Sequence, residues 1–190
     1  MGLFDELNVL PSKAPPTLIP RCGVCGLHEH CQSPKMPVRG KGKRKILVVG
    51  EASGATEDRE NYPFVGLTGK FLQSQLEKVR ISLREDCWII NSLRCRPTQI
   101  FNGRVTNRTP TQREVEWCRP NVLNAIHELK PEIIVLVGGI AVDSLIGWLW
   151  KSSTGKASRW TNYVIPDQQL NAYIVPVWHP SYVVRDDESD

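Results

Sequence analysis

The side chains best able to do chemistry stand in four short stretches. Cys22-Gly-Val-Cys25 is followed at once by His28, His30 and Cys31, thiols and imidazoles at a spacing a metal ion can use. Gly50–Asp58 is a turn of small residues carrying three carboxylates, Glu51, Glu57 and Asp58. Its small residues let backbone approach a ligand closely, and its carboxylates can bind or activate water. Asn91 offers an amide that donates and accepts at once, and His179-Pro180-Ser181 offers an imidazole near the end of the chain. Each has an ordinary alternative: acidic glycine turns are common, a lone Asn at a strand end often just forms a turn, and a lone His often only packs.

The six cysteines narrow the choice. Met1–Glu6 has no basic stretch leading into a long apolar one, so a secretory signal is not expected and a disulfide scaffold is disfavoured. Metal or cluster ligation is the better reading, and Cys22, Cys25, His28, His30 and Cys31 could by themselves form a zinc site. The net charge of +4 is mild. The basic residues are bunched: Arg39, Lys41, Lys43, Arg44 and Lys45 in one place, Arg94, Arg96, Arg104, Arg108 and Arg113 in another. Such bunches serve phosphate contact or simply solvate a face. No apolar run approaches the ~20 residues that span a bilayer, so no membrane partner is expected. The expectation is one monomeric domain over residues 1–190, located in the cytoplasm, at a nucleoid or at a viral replication site.

Something must hold these stretches in place. Lys45–Gly50 and Glu132–Gly139 read as buried strands, each a β-branched run closed by glycine, and Cys87–Asn91 and Ala172–Val177 complete the set. Between them, helical spacing marks Gly69–Val79, Thr111–Lys130 and Gly139–Trp150. The second opens with a Thr111-x-x-Glu114 capping box and contains Pro120, which predicts a kink or a split. A short helix at Phe4–Val9 and a Pro-rich approach make up residues 1–21, and residues 186–190 form an acidic tail. Apolar strands alternating with helices predict an α/β fold, a three-layer α/β/α sandwich around a mostly parallel four-stranded sheet. Ligands in such folds bind beyond the carboxyl ends of the strands. The loops after Val49, Ile90 and Val177 are therefore the informative ones, and they carry the carboxylates, the Asn and the His.

In that order, Gly50–Asp58, Pro63–Gly66, Asn91–Pro97, Asn107–Pro110 and His179–Tyr182 resemble the motifs of the family-4, iron–sulfur uracil-DNA glycosylases, over about Cys22 to Arg185. The resemblance implies a monofunctional glycosylase that flips uracil out of DNA and hydrolyses its glycosidic bond, leaving an abasic site for base excision repair. Phe64 would stack on the base, Asn91 would read its O4 and N3–H edge, and backbone around Ala52, Ser53 and Gly54 would touch it. His179 would donate to O2, and either Glu51 or Glu57 would serve the water and the cationic sugar. Ser181, Tyr182, Val183 and Arg185 would meet DNA, with Val183 as the apolar wedge. Cys22, Cys25, Cys95 and Cys118 would hold a [4Fe–4S] cluster of structural purpose, with Cys87 a core residue and Cys31 outside the pattern.

Three departures stand out. The family usually has Pro where this chain has Ser53, and losing that ring would loosen the loop. Thr98–Thr106 reads as an insertion. It resembles a loop that in a related branch traps uracil-DNA through a histidine, but Asn107 stands at that position here, so covalent trapping is not expected. Relatives also continue beyond the His179 motif, so the chain is either a compact form or one domain of a larger replication protein. These departures support a rival, a catalytically weak uracil-DNA-binding module of a replication or repair complex. A small redox protein explains the cysteines alone, and no phosphate-binding or dinucleotide glycine motif closes a strand.

Overall fold

The computed structural model describes residues 19–151, 154–155 and 157–182. The expected helix at Phe4–Val9, the acidic tail, Val183 and Arg185 lie outside them. The central sheet has the order β2-β1-β5-β7-β6, with β1 Ile46–Ala52, β2 Cys87–Leu93, β5 Ile133–Val137, β6 Ile165–Asp167 and β7 Ala172–Val177. The first four expected strands pair in parallel. The sheet has five strands rather than four because Ile165–Asp167 turns back antiparallel on β7. Three residues containing Pro166 give no periodic signal, and Pro suits an edge strand, where the missing N–H breaks no ladder.

The alternation of side chains along β1 divides the core. Leu47 and Val49 face one layer, packed with Val122, Leu123 and Ile126 of α3 (Gln112–Leu129) and with Ala141 and Val142 of α4 (Gly139–Val142). Ile46 and Val48 face the other, with Leu72 and Leu76 of α2 (Leu67–Lys78). Leu47, Ile134 and Leu136 are wholly buried, and truncating any of them to Ala should cost about 2–5 kcal/mol. Thr111 and Glu114 form the expected capping box, and α3 then runs through Pro120 as one 18-residue helix. The third expected helix is α4 continued by a π turn over Asp143–Gly147, a widened turn often found beside functional sites.

β1 lies at the switch point, since the chain leaves it toward β2 on one side and returns to β5 on the other. Register places Gly50 beside Asn91 and Val137 beside Val177. The ends of β1, β2 and β7 are thereby brought level, and α1 (Ala55–Glu60) starts directly beyond β1. The insertion after β2 is ordered as a hairpin, β3 Thr98–Phe101 and β4 Arg104–Asn107. No helix among the described residues is long and apolar enough to cross a membrane.

Candidate active site and thiol cavity

A cavity of about 370 Å³ opens at the carboxyl edge of the sheet, lined among others by Glu51, Ser53, Phe64, Asn91, Asn107 and His179. Its volume lies at the small-ligand end of the usual range of roughly 300–1,000 Å³. Ala52, Gly54 and Glu57 also line it. Side chains from three strand ends, 128 residues apart in sequence, thus converge on one space.

The imidazole has a defined orientation. His179 Nδ1 accepts the backbone N–H of Ser181 at 3.2 Å and lies 2.7 Å from the Ser181 hydroxyl. A backbone N–H can only donate, so Nδ1 carries no proton and the neutral ring holds its hydrogen on Nε2. Gly138 makes room for it: with φ at +88° and His179 Cβ 3.0 Å from where a Cβ would stand, only glycine fits there without strain. Ser181, expected to meet DNA, here caps the imidazole.

Asn91 is 7% exposed and its Nδ2 donates to Ser53 Oγ over a long 3.5 Å. Ser53 is itself buried, its hydroxyl 3.7 Å from Met36 Sδ. Gly50 separates Asn91 from Phe64, because a Cβ there would collide with the Asn91 amide and approach the Phe64 ring to 2.8 Å. Phe64 has φ of +55°, a left-handed backbone rare for a bulky residue. Gly69 accommodates it, since a side chain on α2 at that point would strike the Phe64 backbone.

The two glutamates lining this cavity differ in kind. Glu57 takes the N–H of Gly54 on one oxygen at 3.2 Å and that of Gly66 on the other at 2.7 Å, so it clamps the loop after β1 to the loop that carries Phe64. Glu51 accepts no hydrogen bond from the described residues, and burial pushes its carboxyl above the ordinary range. Asp58, buried to 2% exposure, turns away from the pocket and accepts the N–H groups of Gln32 and Ser33 at 3.1 and 2.8 Å. Nothing in its sequence context marks that role, because its partners lie 25 and 26 residues upstream.

Cys22, Cys25, Cys95 and Cys118 line a second cavity, together with Leu27, His28 and Trp117. Backbone N–H groups point at two of the sulfurs, Lys35 N at Cys95 Sγ (3.2 Å) and Arg94 N at Cys118 Sγ (3.4 Å). Burial raises both thiols, Cys118 to about 11. Four thiols around one space, with N–H donors already aimed at sulfur, form a donor set that fits a cluster. Among the described residues no three His, Cys, Asp or Glu side chains gather closely enough for a single ion, the four cavity thiols and the local zinc set alike. Cys31 packs beside Cys95 without lining the cavity, and Cys87 is a core residue.

Beyond the expected residues, Asn107 accepts Arg96 Nε at 2.7 Å at the rim of the sheet-edge cavity. Arg108 lines the same rim, its guanidinium held by buried Glu114 at 2.6 and 2.9 Å. Trp178, next to His179, stacks on Tyr182 with centroids 5.0 Å apart.

A sequence model of the uracil DNA glycosylase superfamily matches residues 37–190. The type-4 uracil-DNA glycosylase of Saccharolobus solfataricus is 33% identical over 180 residues, 94% of this chain and 77% of that protein. The chain belongs to this family. The type-4 uracil-DNA glycosylase of Thermotoga maritima is 31% identical over 172 residues, 88% of this chain and 80% of its own length. That of Pyrobaculum aerophilum is 37% identical over 129 residues, covering 68% of this chain and 61% of the relative. The α/β fold with its mostly parallel sheet accords with the type-4 uracil-DNA glycosylase family.

Proposed function

We propose that the chain is a monofunctional uracil-DNA glycosylase, hydrolysing the bond between uracil and deoxyribose and leaving an abasic site without cutting the strand. The observation that carries this is the convergence of His179, its Nδ1 held by the Ser181 N–H, with Asn91 and Phe64 on one cavity. A flipped uracil stacked on Phe64 meets the Asn91 amide with its O4 and N3–H. Cytosine would set donor against donor and lone pair against lone pair, a mismatch that buried polar groups punish.

As the N1–C1′ bond breaks, its electron pair moves onto the base and charge grows at O2, where His179 Nε2–H donates. A donor aimed at developing charge typically contributes about 2.7–4 kcal/mol. Water adds to the electron-poor C1′ and passes its proton to Glu51, chosen over Glu57 because both Glu57 oxygens already hold backbone N–H groups. No lysine lines the cavity to form a Schiff base with the sugar, which supports hydrolysis alone.

Cys22, Cys25, Cys95 and Cys118 would hold a [4Fe–4S] cluster that, when bound, supplies cross-links rather than redox chemistry. Arg94 supports that reading: its guanidinium reaches Lys35 O and Met36 O at 2.6 Å and Asn121 Oδ1 at 2.7 Å, sewing the cysteine loop to α3. A single repair domain acting on DNA in the cytoplasm or at a replication site is the setting this suggests.

The test is purified protein on a uracil-containing oligonucleotide, with alkali to reveal abasic sites. Alkali-dependent cleavage is expected, reduced about 10²–10³-fold by His179→Ala and strongly by Asn91→Ala. Intact DNA from folded, iron-loaded protein would leave only the binding module.

A further inference from the structure

The β3–β4 hairpin is unexplained by the base pocket. It closes through Asn102 and Gly103, both at positive φ, the tight two-residue turn that hairpins favour. It exposes three apolar side chains: Ile100 is 80% exposed, Phe101 and Val105 each 62%. Ile100 lies directly across from Val105, and Phe101 across from Arg104. Because strand side chains alternate, Val105 shares its face with Asn107, which lines the base pocket. The apolar pair therefore continues outward from the pocket rim.

Along the surrounding sequence the charge has one sign. Between Asp86 and Glu114 the chain contains five arginines and no carboxylate. Arg94, Arg96 and Arg108 are committed to internal hydrogen bonds. Arg104 and Arg113 are exposed and make no ion pair among the described residues. An apolar tip with Arg104 across from Phe101 suits a polyanion that also offers flat apolar faces. Duplex DNA hides those faces in its stack, whereas an unpaired strand presents them.

We propose that this hairpin is a single-strand finger: Ile100, on the face shared with Asn107, packs on an unpaired base next to the excised uracil, Phe101 on the opposite face stacks on another, and Arg104 takes a phosphate. Single-stranded or locally opened DNA is then the preferred substrate. The proposal rests on the glycosylase reading for its choice of strand, yet its test does not need catalysis.

Fluorescence anisotropy with uracil-free oligonucleotides, one single-stranded and one a duplex of the same sequence, measures the finger alone. Phe101→Ser is expected to weaken single-strand binding about five- to a hundredfold, the range for losing one base–aromatic stack, and to leave duplex binding nearly unchanged. Arg104→Gln should reduce the slope of log affinity against log salt by about 0.7 on the single strand. Both side chains are exposed, so thermal melting should match the parent protein. Unchanged single-strand affinity in Phe101→Ser and Ile100→Ser, or an equal loss on single strand and duplex, would overturn the finger. So would a dimer in sedimentation that Phe101→Ser dissociates, since the apolar tip would then serve self-association. If uracil release persists while binding is unaffected, the finger alone fails. If the variants lose single-strand binding but no release occurs, the finger stands and the glycosylase reading fails.

Discussion

The two cavities of this molecule are built on opposite principles. In the pocket at the sheet edge the candidate groups are set by neighbours: His179 Nδ1 accepts the Ser181 N–H, and half-buried Glu51 accepts no hydrogen bond from the described residues. In the thiol cavity, backbone N–H groups satisfy the sulfurs and the loops close around them. The pocket therefore stores unfavourable electrostatics where a substrate will relieve it, while the thiol cavity gathers donors whose value is mechanical. Mutations should separate the two, one losing rate without fold, the other fold first.

The largest effect belongs to the thiols. Cys95→Ser removes a buried thiol just beyond β2, one of the four that would hold the proposed cluster. Iron content should fall together with stability, by more than about 4 kcal/mol, the scale that marks loss of a metal rather than of a contact. Denaturant unfolding alongside iron and sulfide analysis checks it. A variant that keeps full stability without iron would break the contrast.

Glu51→Gln should do the reverse. Losing the base is expected to slow uracil release about 10²–10⁴-fold, while the fold becomes more stable at neutral pH. The sign follows from linkage. Burial raises the Glu51 carboxyl above its unfolded value, so its contribution is complete when protonated and is lost as pH rises through the folded pKa. At neutral pH the ionised carboxylate costs stability that glutamine restores. Below the unfolded pKa of about 4.3 the two proteins should melt alike. The acid limb of kcat/KM should lie above the usual carboxylate range for the same reason. Melting curves of both proteins across pH decide it: equal midpoints at neutral pH would show that Glu51 is solvated.

Asp58 joins the two regions, since it sits on α1 beside the pocket loop and holds Gln32 and Ser33 of the cysteine loop. Asp58→Asn should cost about 1.5–3 kcal/mol, the worth of a hydrogen bond to a charged group. Iron content and activity should fall in parallel. Activity lost at full iron loading would mean that α1, and not the cysteine loop, depends on this carboxylate.

Strands were legible wherever both faces are buried, because a continuous apolar run such as Ile46–Val49 has no other use. Ile165–Asp167 was not, being three residues at an edge. That Phe64, Asn91 and His179 share one cavity was legible because the segment after β1, the end of β2 and the loop after β7 lie at the carboxyl edge of the sheet, where the fold rule brings loops together. Glu51 could not be separated from Glu57 in the sequence, because the Glu57 hydrogen bonds that set the two apart run to Gly54 and Gly66, three and nine residues along the chain. Asp58 and Arg94 escaped for the same reason, their partners being backbone groups distant in sequence. The Thr98–Thr106 insertion was legible as an insertion, but the exposure of Ile100 and Phe101 is a three-dimensional fact.

The smallest effect tests a substitution that the sequence presents as a loss. Ser53 stands where relatives usually have Pro, and a looser loop was the expected consequence. In the structure the hydroxyl accepts Asn91 Nδ2, and under the proposed function this contact would orient the amide toward the base and leave the second N–H of Nδ2 for O4. Ser53→Ala should then lower kcat/KM on uracil by up to about tenfold, the ceiling for one neutral hydrogen bond of 0.5–1.5 kcal/mol, with melting unchanged. Ser53→Pro also removes the hydroxyl but stiffens the loop. If it falls with the alanine variant, the hydroxyl matters more than the ring. Should it exceed the parent protein instead, loop rigidity governs the pocket, and the long Asn91–Ser53 contact is incidental.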